Sequence, residues 1–318
     1  MTTKSQFALD DSVSSRTGSA ISVVNAIATG MGSAIGIDLE CKVKTTIVKR
    51  DKGSKSSIKR GIVVQSDLDD HHDLVRTSAE LALKRLGASI PKDSAIYIAI
   101  DSKIPQAVGL KSSSAVSTAV VESIFKLTGR EKTDPGVLLN VSCTASKSSG
   151  ASLTGAYDDA SACLLGGLVL ADNSNFRIIK HLRIPGGLGR NVLVFLPDGG
   201  NKKRFTSDVK RSDYKGFQDQ CAKAFEYALV GNVPSAMLLN SLVQCATLNY
   251  SFQPISAALE AGASACGVTG KGPAVAALCV GGKDVARIKS AWLDSEPRCK
   301  IIETKVVEKK MMKKKEER

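Results

Sequence analysis

Residues 105–121, PQAVGLKSSSAVSTAVV, constrain the fold of this 318-residue chain more than any other stretch. The preceding segment AIYIAID at 95–101 alternates apolar and polar residues and reads as a strand. A loop with Pro105 and Gly109 follows, and three serines then lead into an apolar stripe. Val116, Ala119, Val120, Ile124 and Leu127 recur at three- and four-residue intervals, which predicts a helix with Gly129 as its stop. A strand that passes through a glycine loop into a helix leaves free N–H groups and the positive end of the helix dipole at the loop. Such a mouth binds anions, phosphate in particular. Gly109 permits a close backbone approach, and serine hydroxyls can donate to phosphoryl oxygens or ligate magnesium. Plain N-capping by Ser112, Ser113 or Ser114 is the competing reading, although three serines exceed what one cap needs.

Composition narrows the classes. Apolar residues make up 43% and charged residues 24%, which argues against a disordered chain, a fibre or a membrane bundle. Aromatics at 4% are too few for a protein that stacks nucleobases on its rings. The eight cysteines (41, 143, 163, 221, 245, 266, 279, 299) form no CxxC pair, and only three histidines are present. That speaks against a zinc or iron–sulfur site and for buried thiols in a reducing cytoplasm. The uncharged run between Arg16 and Asp38 contains Ser22, Asn25, Thr29 and several glycines, which make a poor spanning helix. Asp10 and Asp11 ahead of it do not suit a signal peptide. The net charge of +13 is concentrated in residues 42–60 (+7) and 303–318 (+3). It fits either an anionic partner or a solvated hairpin tip and tail.

Along the chain, residues 1–18 read as a polar, disordered lead-in. From Ile37, IDLECKVK alternates strictly as a strand with one wet face. DKGSKSS supplies turn chemistry, and GIVVQ is expected to return as its hairpin partner. Val75, Ala79, Ala82 and Leu86 predict a helix ended by Gly87. Further helices are expected near 135–147 and 158–165, then a strand at 166–172. A composition shift near 186 places a domain boundary there, dividing the chain into 19–185 and 186–308 ahead of a charged tail at 309–318. The second half reads as helices at 216–230, 234–247, 254–261 and 284–293, with strands between and a last strand at 300–307.

Two more segments carry chemistry. In TGAYDDASACLLGG, Asp158 and Asp159 stand at the start of a short apolar helix, where acids suit the dipole and could equally supply a base or a metal ligand. Adjacent helical residues point about 100° apart, so the two cannot share one role. In GASACGVTGKGPAVAAL, Gly267, Gly270 and Gly272 punctuate a loop that could wall the other side of a nucleotide. No Walker A loop exists, because Gly272 stands where Ser or Thr is required. GxGxxG is absent too, since GMGSAIG spaces its glycines too widely.

PQAVGLKSSSA, GAYDDASACLLGG and GVTGKGPAVAAL, in this order, resemble the three motifs of the GHMP kinase superfamily. More narrowly, NAIATGMGSAIGIDL, GLKSSSAVSTAVV and LTGAYDDASACLLGG resemble the archaeal-type shikimate kinase family. The likeness spans roughly residues 19–290. It implies an α+β GHMP kinase fold: an N-terminal ribosomal-protein-S5-domain-2-like domain and a C-terminal ferredoxin-like α/β sandwich. It also implies ATP- and magnesium-dependent phosphorylation of the shikimate 3-hydroxyl, on the route to chorismate, by a monomer or homodimer acting on a small molecule rather than on nucleic acid or a membrane. ATP would lie along Pro105, Gly109, Leu110, Lys111, Ser112, Ser113, Ser114 and Ala115, with Gly270 and Gly272 opposite. The likeness gives Ser114 to the magnesium ion and Asp159 to the base, with Asp158 as alternative base or second metal contact. Mevalonate-kinase-like members place a magnesium-binding Glu ahead of the base, whereas residues 140–157 here contain no acid. Shikimate is a carboxylate, so a fixed cation is expected from Lys147, Arg190, Lys203 or Arg204, with Asn25 and Thr29 for the ring hydroxyls. Another small-molecule GHMP kinase, for homoserine or mevalonate, is the nearest alternative; a basic nucleic-acid binder is the alternative from a different class.

Overall fold

A computed structural model describes residues 11–49, 61–66, 71–198 and 206–308. The charged tail at 309–318, Lys203, Arg204 and the DKGSKSS turn lie outside the described residues.

The central element is the long strand β2 (Met31–Lys49), antiparallel along one edge to β1 (Ser12–Val24). Its other edge is shared: residues 31–35 pair with β5 (Leu168–Asp172), and residues 41–49 pair with β4 (Ser94–Ser102). β3 (Gly61–Ser66) lies outside β4, and β6 (Arg177–Leu182) outside β5. The expected hairpin between the 37–49 strand and GIVVQ is therefore corrected. β3 runs parallel to β4, because both edges of β2 at that level are already filled by β1 and β4. The alternation seen in sequence belongs to the outer half of β2, where Cys41, Val43, Thr45 and Ile47 are buried between wetter neighbours. Residues 32–37 are buried without alternation, as befits a strand covered on both faces.

The lead-in also needs correction, since Ser12–Gly18 belong to β1. Polar residues there are not a mark of disorder. Ser15, Thr17 and Ser19 recur at period two, and their hydroxyls donate to the carbonyls of Ala119 (2.5 Å), Ala115 (3.0 Å) and Leu110 (2.6 Å). Small hydroxyl side chains with satisfied hydrogen bonds let a helix sit close to a strand without stranding polar atoms in the core. That helix is α2 (Ser112–Leu127), packed among α1 (His72–Leu86), α3 (Pro135–Ser148) and α4 (Tyr157–Leu165). Gly87 caps α1 in the left-handed region, as the sequence predicts.

A second, four-stranded sheet is built from β7 (Asn191–Leu196), β8 (Ala265–Val268), β9 (Val275–Cys279) and β10 (Lys300–Lys305) in the order β10-β7-β9-β8, all antiparallel. Helices α5 (Gln218–Leu229), α6 (Val233–Leu248) and α7 (Gln253–Glu260) come between β7 and β8, and α8 (Gly282–Ser295) between β9 and β10. This is the ferredoxin-like split β-α-β arrangement. One apolar cluster runs from Ile21 and Ile35 of the first sheet to Val194 and Ala276 of the second, and a smaller one gathers around Phe195 and Trp292. Beyond β10 the chain returns to the first sheet. Val306 bridges to Ile37, the Val307 amide donates to Gly36 (3.0 Å), and the Gly167 amide donates to Val307 (2.7 Å). The final residues thus fill the gap on β2 between β5 and β4. No described helix is long and apolar enough to cross a membrane, and the uncharged run after Arg16 is the β1–β2 pair.

Candidate active site

The loop between β4 and α2 takes left-handed conformations at Ala107, Gly109 and Lys111. Lys111 is itself the N-cap residue of α2, and no side chain caps the helix. Ser112, Ser113 and Ser114 are therefore the first helical residues, and the capping reading falls away. These three residues line a cavity of about 380 Å³. The Ser112 hydroxyl is buried with no hydrogen-bond partner among the described residues, while the Ser113 hydroxyl lies 3.2 Å from His71 Nε2. Orphaned donors at a helix N-terminus are what a phosphate would satisfy.

Gly109 (φ +95°) serves the protein before it serves a ligand. A Cβ there would lie 2.0 Å from the Thr269 carbonyl oxygen. The β4–α2 loop presses against the turn 269–272 of the second sheet, joined by Thr269 Oγ1 donating to Gly109 O (3.0 Å) and the Ala274 amide to Val108 O (3.2 Å). Asn25 and Ser22 complete this seam. Asn25 Nδ2 donates to Gly270 O (3.1 Å), and its Oδ1 accepts from the Ile27 amide (2.8 Å). Ser22 Oγ accepts from the Gly270 amide (3.0 Å).

The acids come from α4, which starts after Ala156 in the left-handed region and is held by the Asn173 side chain and by Tyr157 stacked on Phe176. Both Asp158 and Asp159 line the same cavity as the serines. Asp159 Oδ1 pairs with Lys111 Nζ at 3.1 Å, and that ammonium also donates to Ser22 Oγ (2.6 Å). Asp158 is only 3% exposed. Its carboxylate rests on Gly32, where a Cβ would come within 2.2 Å of Oδ2, so the glycine at this position of GMGSAIG leaves room for the acid. Burial, and then the Asp159 charge, push the Asp158 carboxyl up to about 7, while Lys111 pulls the other way.

Other expected positions fall differently. Gly270 lines the cavity, while Gly272 packs on the Tyr250 ring behind it. Pro105 and the buried Ala115 are not part of the lining. Asn25 lines the cavity, yet its amide is occupied by the seam, and the Thr29 hydroxyl is turned back onto Met31 (3.1 Å). Lys147 is exposed on α3 outside the cavity lining, and Arg190 pairs with Glu308 at 2.6 Å, also outside it. Sequence reasoning missed His71, Ser22, Thr206 and Lys271. In the sequence Lys271 stands in a failed Walker loop, and its signal is a lysine inside a glycine turn.

A magnesium ion prefers hard oxygen ligands and keeps several waters. Ser114 and Asp158 in one cavity, with the orphaned Ser112 hydroxyl beside them, suit such an ion. A divalent charge there would also relieve the repulsion that raises the Asp158 carboxyl.

A split β-α-β sheet joined through a glycine seam to a serine-headed helix that faces an acid pair defines a GHMP kinase. The family model for the GHMP kinases N terminal domain matches residues 73–167. Solved structures with the same fold include L. major mevalonate kinase in complex with R-mevalonate (TM-score 0.70, 15% identity, 95% of this chain and 98% of that one). Homoserine kinase from Cytophaga hutchinsonii is another (TM-score 0.64, 20% identity, 96% and 97%). Within that class the chain belongs to the shikimate kinase family of archaea. It is 34% identical to the shikimate kinase of Methanocella arvoryzae over 275 residues, 85% of this chain and 86% of the relative. It is 36% identical to that of Pyrococcus furiosus over 277 residues, 86% and 93%.

Proposed function

We propose that this chain transfers the γ-phosphoryl group of ATP to the 3-hydroxyl of shikimate, in the cytoplasm, giving shikimate 3-phosphate and ADP. The observation that carries this reading is the meeting of the serine-headed helix and the acid pair in one cavity, linked by the Lys111–Asp159 ion pair at 3.1 Å.

Asp159 is the base. Its side chain is 16% exposed and within reach of a ligand, and Lys111 holds it in place. The acceptor hydroxyl gives its proton to the Asp159 carboxylate as its oxygen bonds to the γ-phosphorus, and the bond to the β–γ bridging oxygen breaks to release ADP. Amides at the start of α2 and the hydroxyls of Ser112 and Ser113 orient the phosphates. Ser114 and Asp158 would hold a magnesium ion, which would supply charge neutralisation on the phosphates. We keep the domain boundary near residue 186, where the first sheet ends and the second begins. A monomer or homodimer suffices, because all these groups come from one chain.

The test is ADP release with shikimate, homoserine and mevalonate side by side under magnesium. Turnover with shikimate at least about 10²-fold above the other two supports the assignment, a margin that lost hydrogen bonds to ring hydroxyls and a carboxylate would produce. Comparable or higher turnover with homoserine or mevalonate overturns it.

A further inference from the structure

We infer that Lys271 is the cation that receives the carboxylate of the acceptor substrate; the inference rests on the proposed shikimate kinase activity and names a binding residue for it. A carboxylate leaving water for a cavity needs a fixed positive partner. Among the described residues that line the cavity, the lysines are Lys111 and Lys271. Lys111 is already committed, 3.1 Å from Asp159 and 2.6 Å from the Ser22 hydroxyl. Lys271 has no carboxylate within ion-pair distance among the described residues. Its ammonium donates to Thr206 Oγ1 at 2.5 Å, which uses one of three N–H bonds.

The site is built to hold that charge still. Lys271 stands in the turn 269–272 that seals against Gly109, and its carbonyl accepts from the Tyr250 hydroxyl (2.7 Å). Burial and the neighbouring Lys111 pull the Lys271 ammonium down to about 8, against the opposing charges of Asp159 and Asp208. A ligand carboxylate would remove both penalties. Phosphates of ATP have other partners, the head of α2 and its serines, whereas the acceptor's carboxylate has no other uncommitted lysine among the described lining residues. Asp159 and Lys271 line the same cavity, so one ring can present its hydroxyl to the acid and its carboxylate to the lysine.

The experiment compares wild type with Lys271→Met, Lys271→Gln and Lys271→Arg, using shikimate and its uncharged methyl ester as acceptors. Loss of a charge-assisted contact should raise the shikimate KM about 10- to 100-fold in the Met and Gln variants. The KM for ATP should stay within about twofold, since the phosphate donors are untouched. Wild-type preference for the acid over the ester should disappear in both, and Arg should recover part of it. An ATP KM near that of wild type also shows that a variant is folded, and Gln stands in where Met does not fold. Persistence of the acid-over-ester preference in Lys271→Gln overturns the inference, as does a loss that falls on the ATP KM and marks the lysine as a phosphate contact. A wild-type protein inactive on shikimate would instead overturn the proposed function, before any variant is made.

Discussion

Two lysines line one cavity where the two halves of the molecule meet, and their surroundings differ. Lys111, at the head of α2 in the first sheet's half, is buried against an acid of its own protein. Lys271, in the glycine turn of the second sheet's half, is half-buried, hydrogen-bonded to the Thr206 hydroxyl, with no acid at ion-pair distance among the described residues. A charge neutralised internally costs little in the empty protein and can position a neighbour, here Asp159. A charge left without an anion lowers its own proton affinity and waits for a ligand. Local sequence does not separate these roles, since both lysines sit in glycine-bearing loops. What separates them is whether an acid lies across the gap.

The sharpest way to break that contrast is at the acid itself. Asp159→Asn should lower kcat by about 10²–10⁴-fold, the range for losing a general base, with the ATP KM nearly unchanged. A kcat within tenfold of wild type in an ADP-release assay would move the base to Asp158. Next comes the seam that sets the two walls facing each other. Gly109→Ala should cost about 2–4 kcal/mol in denaturant melts, because a Cβ meets the Thr269 carbonyl and the positive φ disfavours any side chain. Lys111→Met should lower kcat by about 10²-fold through misplacement of Asp159, while the shikimate KM changes less than in Lys271→Met. If both lysine variants act mainly on KM, the division of labour drawn above is wrong.

The smallest effect expected is on stability. Burial, and then the Asp159 charge, hold the Asp158 carboxyl well above the ordinary carboxylate range, up to about 7, in the folded protein. A carboxyl raised on folding helps stability below its unfolded value and loses that help as pH climbs toward the folded one. The ligand-free protein should therefore lose stability from about pH 4 to pH 7 on account of this group. Asp158→Asn should flatten that slope and raise Tm at pH 8, where each kcal/mol gained is worth about 2–4 °C. It should also raise the magnesium concentration needed for activity. A steeper slope in the variant would show that Asp158 is stabilised, not strained, by its surroundings.

The helices were legible because their apolar stripes are local. Val75, Ala79 and Ala82, or Val116, Ala119 and Val120, describe a face whatever lies beyond it. The GHMP motifs likewise pointed to Ser112–Ser114 and to Asp158–Asp159, which meet in one cavity. Features decided by distant partners were not legible. β1 is a strand whose Ser15 and Thr17 hydroxyls donate to a helix about a hundred residues away, and in isolation it reads as polar chain. β3 skips past β2 because a later strand takes the place beside it. Asn25 looked like a ligand contact, yet its amide is claimed by a turn 245 residues downstream. Lys271 hid for the same reason: its character depends on which acids its turn does not reach.

Gly166 and Gly167, the pair that ends the acid-bearing helix, are fastened by residues at the opposite extremity of the described chain, through the Val307 carbonyl and the bridge to Glu308. The turn behind the two acids is thus moored by chain that comes far later in the sequence, so a fragment cut ahead of Val306 would keep both acids while the far end of their helix was left to its bonds with Gly36 and His181.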